Sequence, residues 1–106
     1  MDKIRLGRSG LLATKIGLGG IPIQRLGTAD AVRVICHCLD LGVNLIDTAF
    51  GYTTSEERIG MAISGRRQDV ILASKSPATD RAGFLAHLDV GLQRLGVELE
   101  TAVDIW

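Results

Sequence analysis

The chain has 106 residues, 46% hydrophobic and 23% charged, with twelve basic and twelve acidic side chains and a formal net charge of zero. That balance belongs to an ordinary globular domain and excludes a disordered tail or an electrostatic binder of nucleic acid. No run approaches the roughly 20 consecutive apolar residues of a membrane helix, and Asp2, Lys3, Arg5 and Arg8 break any signal-peptide core, so a cytoplasmic protein with no membrane partner is expected.

Taken in chain order, residues 3–6 and 11–15 flank Arg8-Ser9-Gly10 and predict a short hairpin. Residues 16–18 form a brief apolar strand. Thr28 is the expected N-cap of a helix whose apolar positions Val32, Ile35, Cys36 and Leu39 recur at helical spacing until Gly42. A second strand is expected over residues 43–46. Thr54 and Glu57 then have the spacing of a capping box heading a helix through Ile59, Ala62 and Ile63, ended by Gly65. Residues 70–73 make a third strand. Leu85, Leu88, Leu92 and Leu95 mark one stripe of a third helix closed by Gly96, and residues 102–106 begin a fourth strand.

Strict alternation of strand and helix predicts an α/β fold with a parallel sheet. Strands begin near residues 16, 43, 70 and 102, which gives three complete strand–helix units and the start of a fourth. A (β/α)8 TIM barrel has eight such units in roughly 250 residues, so residues 1–106 are expected to be a partial barrel domain, preceded by the hairpin and cut before the fourth strand ends. Four strands alone would leave unpaired edges and an uncovered interior face, to which Val43, Leu45, Val70 and Leu72 are assigned. Self-association, or a missing C-terminal half, is the expected consequence.

In parallel α/β folds the reactive side chains stand at the C-terminal ends of strands and in the loops after them. Asp47 ends the second strand, Tyr52 follows in its loop, and Lys75 ends the third. A phenol titrating near about 10 donates poorly at neutrality, and a neighbouring ammonium eases the loss of its proton. A carboxylate in turn holds the ammonium charged and in place, so the three residue types together make a general acid.

Several motifs occur in one order: Leu6-Gly7-Arg8-Ser9-Gly10-Leu11, Ile16-Gly17-Leu18-Gly19-Gly20, Asp47-Thr48-Ala49 to Tyr52, Ser55-Glu56-Glu57-Arg58-Ile59-Gly60, Ile71-Leu72-Ala73-Ser74-Lys75, Leu92-Gln93-Arg94-Leu95-Gly96 and Asp104-Ile105. Together they resemble the aldo-keto reductases over nearly the whole chain. The resemblance implies an oxidoreductase that reduces a small carbonyl substrate with NADPH, or with NADH. It implies a catalytic tetrad in which Tyr52 donates the proton, Lys75 assists it and Asp47 orients Lys75, with Asp47 also on the nicotinamide-ribose side of the cofactor. The family's fourth member is a histidine at the end of the fourth strand, beyond Trp106, and its phosphate-binding segments lie late in the barrel, so these residues alone are expected to be incompetent. Gly19-Gly20-Ile21-Pro22-Ile23, Arg25-Leu26 and Ser76-Pro77 resemble the subgroup with a C-terminal iron-sulfur extension. Thr53 departs from the family, where glycine commonly follows the tyrosine. A non-catalytic binding or regulatory module and an inactive truncated product are the rival readings.

Other features have plainer expected roles. Gly17-Leu18-Gly19-Gly20 lacks the third glycine and the following helix of a dinucleotide fingerprint. Cys36 and Cys38 point about 200° apart on a helix, which suits neither a disulfide nor a metal, and no metal site is expected. His37 and His87 are assigned to the outer helical layer, away from the strand ends. Arg66-Arg67 is read as solvated or bound to helix-end carbonyls.

Overall fold

The computed structural model describes residues 1–98, and the strand expected at 102–106 lies outside the described residues. The hairpin forms as expected: β1 (Lys3–Arg5) and β2 (Leu12–Thr14) pair antiparallel, Ile4 opposite Ala13. Asn44 fastens it to the sheet. Its Nδ2 donates to the Leu12 carbonyl (2.9 Å), its Oδ1 accepts from Thr14 N (2.8 Å), and its own N–H donates to Thr14 Oγ1 (3.2 Å).

Strands β3 (Leu18–Gly19), β4 (Leu45–Asp47) and β5 (Ile71–Ala73) form a parallel sheet in that order. Two of them pair later than the apolar runs suggested: Ile16, expected within the first strand, is 65% exposed. The ladder is set by partners, Leu18 with Ile46 and Ile46 with Leu72, which a single run of sequence does not disclose. Helices α1 (Thr28–Asp40), α2 (Ser55–Ile63) and α3 (Arg81–Leu95) follow the three strands in turn, each packing on the next. The observed unit is thus three consecutive strand–helix pairs, and no described helix is long and apolar enough to cross a membrane.

The core lies between sheet and helices. Ala31, Ile35 and Leu39 on α1, spaced four apart, meet Ile59, Ala62 and Ile63 on α2 over Ile46 and Leu72. Burying each large side chain of this set is worth about 1.5–3 kcal/mol. Alternation in a strand places Val70 and Leu72 on this helix side, whereas Leu45, which pairs with Ile71, faces the other way. The assignment of Val70 and Leu72 to the barrel interior is therefore corrected: their phase depends on a cross-strand register. Gly60 lets α2 and α3 touch, since a Cβ there would collide with the backbone of Arg94 and Leu95.

Both expected helix caps differ. Gly27, extended, is the N-cap of α1, and Thr28 is its first helical residue. Thr54 precedes α2 with φ −98° and ψ 3°, and its side chain caps nothing. That geometry is not the extended one from which a threonine hydroxyl reaches the first-turn N–H groups. Glu57 is exposed while Ser55 and Glu56 turn inward, so no capping box forms. In α3, Leu85 is 43% exposed, and the buried positions are Gly91 and Leu95.

Candidate active site

The pleat decides which side chains meet at the C-terminal rim. Asp47 pairs with Ala73, and Lys75 lies two residues beyond Ala73, so both project to the face away from the helices. Lys75 Nζ donates to Asp47 Oδ2 at 3.0 Å and to the Thr48 carbonyl at 2.8 Å. The same ammonium lies 5.0 Å from the centre of the Tyr52 ring. Asp47, Tyr52 and Lys75 are thus one cluster.

Partial burial works against the Lys75 charge, but the hydrogen bond and charge of Asp47, with a smaller contribution from the Tyr52 phenol, more than offset it. Lys75 therefore holds its proton above the ordinary lysine range. Its side chain is 43% exposed and that of Asp47 56%, so both remain open to a ligand. A concavity of about 280 Å³ beside them is lined by Ala49, Gly51, Tyr52, Lys75, Ser76 and Pro77. A larger one, about 600 Å³, opens at the other end of the sheet beneath the hairpin, among Leu11, Leu12, Asn44 and Val70. Size favours the second and chemistry the first, because only the first joins a phenol to an ammonium.

Tyr52 sits in a tight turn, with its N–H on the Ala49 carbonyl (3.1 Å) and its own carbonyl accepting from Ser55 N (2.8 Å). Thr53 follows with φ 41°, a left-handed conformation that a β-branched residue seldom adopts. A glycine would adopt this conformation without that strain. Thr53 is held by its hydroxyl donating to Gln24 Oε1 (2.8 Å), on the 3-10 turn Pro22–Arg25. Arg58 on α2 fastens that turn by donating to the Ile23 and Leu26 carbonyls (2.8 and 2.5 Å).

The residues alternating with Asp47 and Lys75 point to the helix side, where no local sequence pattern signals polar chemistry. Thr48 and Ser55 share a hydroxyl hydrogen bond of 2.7 Å, and Gly20 is pressed against both, with no room for a Cβ. Ser74 Oγ donates to Glu56 Oε2 (3.0 Å), and Arg94 Nη1 reaches Glu56 Oε1 (3.3 Å) and the Phe50 carbonyl (3.2 Å). His87 also joins this group, which corrects its assignment away from the strand ends. Its ring stacks on Phe50 at 3.8 Å and its Nδ1 shares a 2.6 Å hydrogen bond with Ser76 Oγ. These contacts bring His87 of α3 to the loops after β4 and β5, a tertiary placement that helical periodicity does not encode. His37 is exposed, and Cys36 and Cys38 are free thiols, Cys36 donating to the Ala62 carbonyl. Arg66 pairs with Asp40 at 2.8 Å, and Arg67 donates to the Val70 carbonyl.

Comparison with known proteins identifies the family and the fold. Residues 15–106 match the model of the aldo/keto reductase family. The chain is 39% identical to the aldo-keto reductase YhdN of Bacillus subtilis, covering 90% of this chain and 34% of that protein. It is 40% identical to the oxidoreductase YqkF of the same organism, covering 72% and 25%. Among solved structures, the holo form of aldo-keto reductase AKR11C1 from Bacillus halodurans superposes with a TM-score of 0.81 at 31% identity, over 92% of this chain and 37% of that one. The thermostable aldo-keto reductase Tm1743 gives 0.84 at 30% identity, over 92% and 39%. The chain thus spans about a quarter to a third of the length of these curated relatives. It belongs to the aldo/keto reductase family and has the fold of the N-terminal portion of that family's TIM barrel.

Proposed function

We propose that this chain supplies three of the four catalytic groups of an NADPH-dependent reductase of aldehydes or ketones. The observation that carries the reading is the Lys75 ammonium held by Asp47 at 3.0 Å and set against the Tyr52 ring. A carbonyl being reduced develops negative charge on oxygen, and a donor aimed at that charge lowers the barrier. Tyr52 is that donor. Lys75, kept charged by Asp47, stabilises the phenolate left when the proton moves to the product alkoxide.

The chemistry of the donor set fits a nicotinamide cofactor. An exposed carboxylate next to an ammonium, on the open face of the strand ends, offers both an acceptor and a donor to ribose hydroxyls. Asp47 is the residue proposed to hold the nicotinamide-ribose side. The bound reduced nicotinamide supplies a hydride to the carbonyl carbon. Its phosphates are proposed to bind later in the barrel, where this fold class places its phosphate site, so turnover needs the complete barrel. The small carbonyl substrate is proposed to enter the concavity lined by Tyr52, Ser76 and Pro77, in a cytoplasmic enzyme.

Replacing Tyr52→Phe removes one oxygen. In the complete enzyme, carbonyl reduction falls about 10²–10⁴-fold while cofactor affinity, followed by quenching of NADPH fluorescence, stays within a factor of about two. Undiminished reduction by the variant would remove Tyr52 as the acid.

A further inference from the structure

The interactions on the helix side close into a ring around the backbone that carries Lys75. Glu56 accepts from Ser74 Oγ at 3.0 Å. Ser74 is bonded to Lys75, whose carbonyl accepts from Phe50 N at 2.9 Å. The Phe50 carbonyl accepts from Arg94 Nη1 at 3.2 Å, and the same nitrogen returns to Glu56 at 3.3 Å. The guanidinium also lies over the Phe50 ring, 4.7 Å from its centre. Three separate elements, the start of α2, the end of β5 and the last turn of α3, are thereby tied to the two loops that carry Tyr52 and Lys75.

Stability alone is a poor reason for this arrangement. The Glu56 side chain is 1% exposed and that of Arg94 26%. Desolvating such a pair costs several kcal/mol, and apolar residues of similar volume commonly serve the fold as well or better. A ring of directional bonds, however, fixes where its members sit in a way that apolar packing does not. The fixed members here include the backbone on both sides of the Lys75 Cα. Gly60, four residues on from Glu56 in α2, also lets that helix approach the Arg94 backbone so closely that a Cβ would collide with it.

We propose that Glu56 and Arg94 are positioning residues of the catalytic site, acting through Ser74 and Phe50 to hold Lys75 within reach of Asp47 and Tyr52. The inference rests on the reading of Lys75 and Tyr52 given above, and its test has its own readout. In the complete enzyme the Lys75 side chain can be followed by NMR through an alkaline titration, its signal assigned by its absence from Lys75→Met.

Two variants are decisive. Arg94→Gln removes a positive charge, which by Coulomb's law alone favours the Lys75 ammonium and raises its pKa. Ser74→Ala changes no charge. If the ring positions Lys75, both variants instead shift its titration downward, toward the ordinary lysine range, because the grip of Asp47 loosens. A merely structural ring lowers the thermal midpoint and leaves the titration unchanged, or raised in Arg94→Gln, and either result overturns the proposal. Should Arg94→Gln fail to fold, Ser74→Ala decides alone. Retained reduction in Tyr52→Phe overturns the catalytic reading, whereas an unmoved Lys75 in these variants overturns only the positioning role.

Discussion

The two ends of the sheet are built on opposite terms. At the N-terminal end, Asn44 satisfies three backbone or hydroxyl groups of the hairpin at 2.8–3.2 Å, and among the described residues only glycines there have a positive φ. At the C-terminal end, a threonine is held at φ 41°, a carboxylate and an ammonium stand half exposed, and a second carboxylate is buried. One end is arranged for what it gives the fold. The other accepts strain and desolvation, and such costs concentrate where geometry is needed for chemistry.

The sharpest way to break that contrast is to delete one polar side chain at each end. Lys75→Met in the complete enzyme is expected to lower carbonyl reduction by about 10²-fold or more, roughly 3 kcal/mol of barrier, with little change in stability. Asn44→Ala is expected to do the reverse. It removes two hydrogen bonds and strands the part-buried Thr14 N–H, a cost of about 2–3 kcal/mol visible in urea denaturation, while turnover of the folded enzyme is unchanged. If Asn44→Ala lowered turnover as much as Lys75→Met, the division between the two ends would not hold.

The two ends also differed in how far the sequence disclosed them. The hairpin, the alternation of strands and helices, and Asp47, Tyr52 and Lys75 were all legible, because hydrophobic period, turn residues and strand-end position are local signals. The ring of Glu56, Ser74 and Arg94 was not, since its members are separated by 18 and 38 residues and meet only through the strand register and the packing of α2 on α3. The place of His87 is hidden for the same reason: its helix is legible, but the packing that brings its ring onto Phe50 is a tertiary fact. Thr54 and Glu57 carried a correct local pattern, overridden when Ser55 and Glu56 found partners inside.

A smaller effect tests whether the strain at the rim is real. Asparagine tolerates positive φ better than threonine and keeps a polar side chain facing Gln24. Thr53→Asn is therefore expected to raise stability by roughly 0.5–1 kcal/mol, read as a higher urea midpoint at unchanged slope. A destabilised variant would mean that the Thr53–Gln24 hydrogen bond outweighs the backbone cost.

The smallest expected effect is the pH dependence set by Lys75. Its proton is held more tightly in the folded protein than in the unfolded chain, because Asp47, helped by the Tyr52 phenol, outweighs the cost of burial. The stability this contributes is complete below the ordinary lysine range and is lost as pH rises through the higher folded-state value. With 43% of the side chain exposed, solvent screening limits it to roughly a few tenths of a kcal/mol. Asp47→Asn removes the principal cause, so the difference in stability between the native protein and this variant should shrink as the solution becomes alkaline enough to deprotonate Lys75. Asn44→Ala, at the other end of the sheet, touches no titrating group, and its deficit should stay constant over the same range.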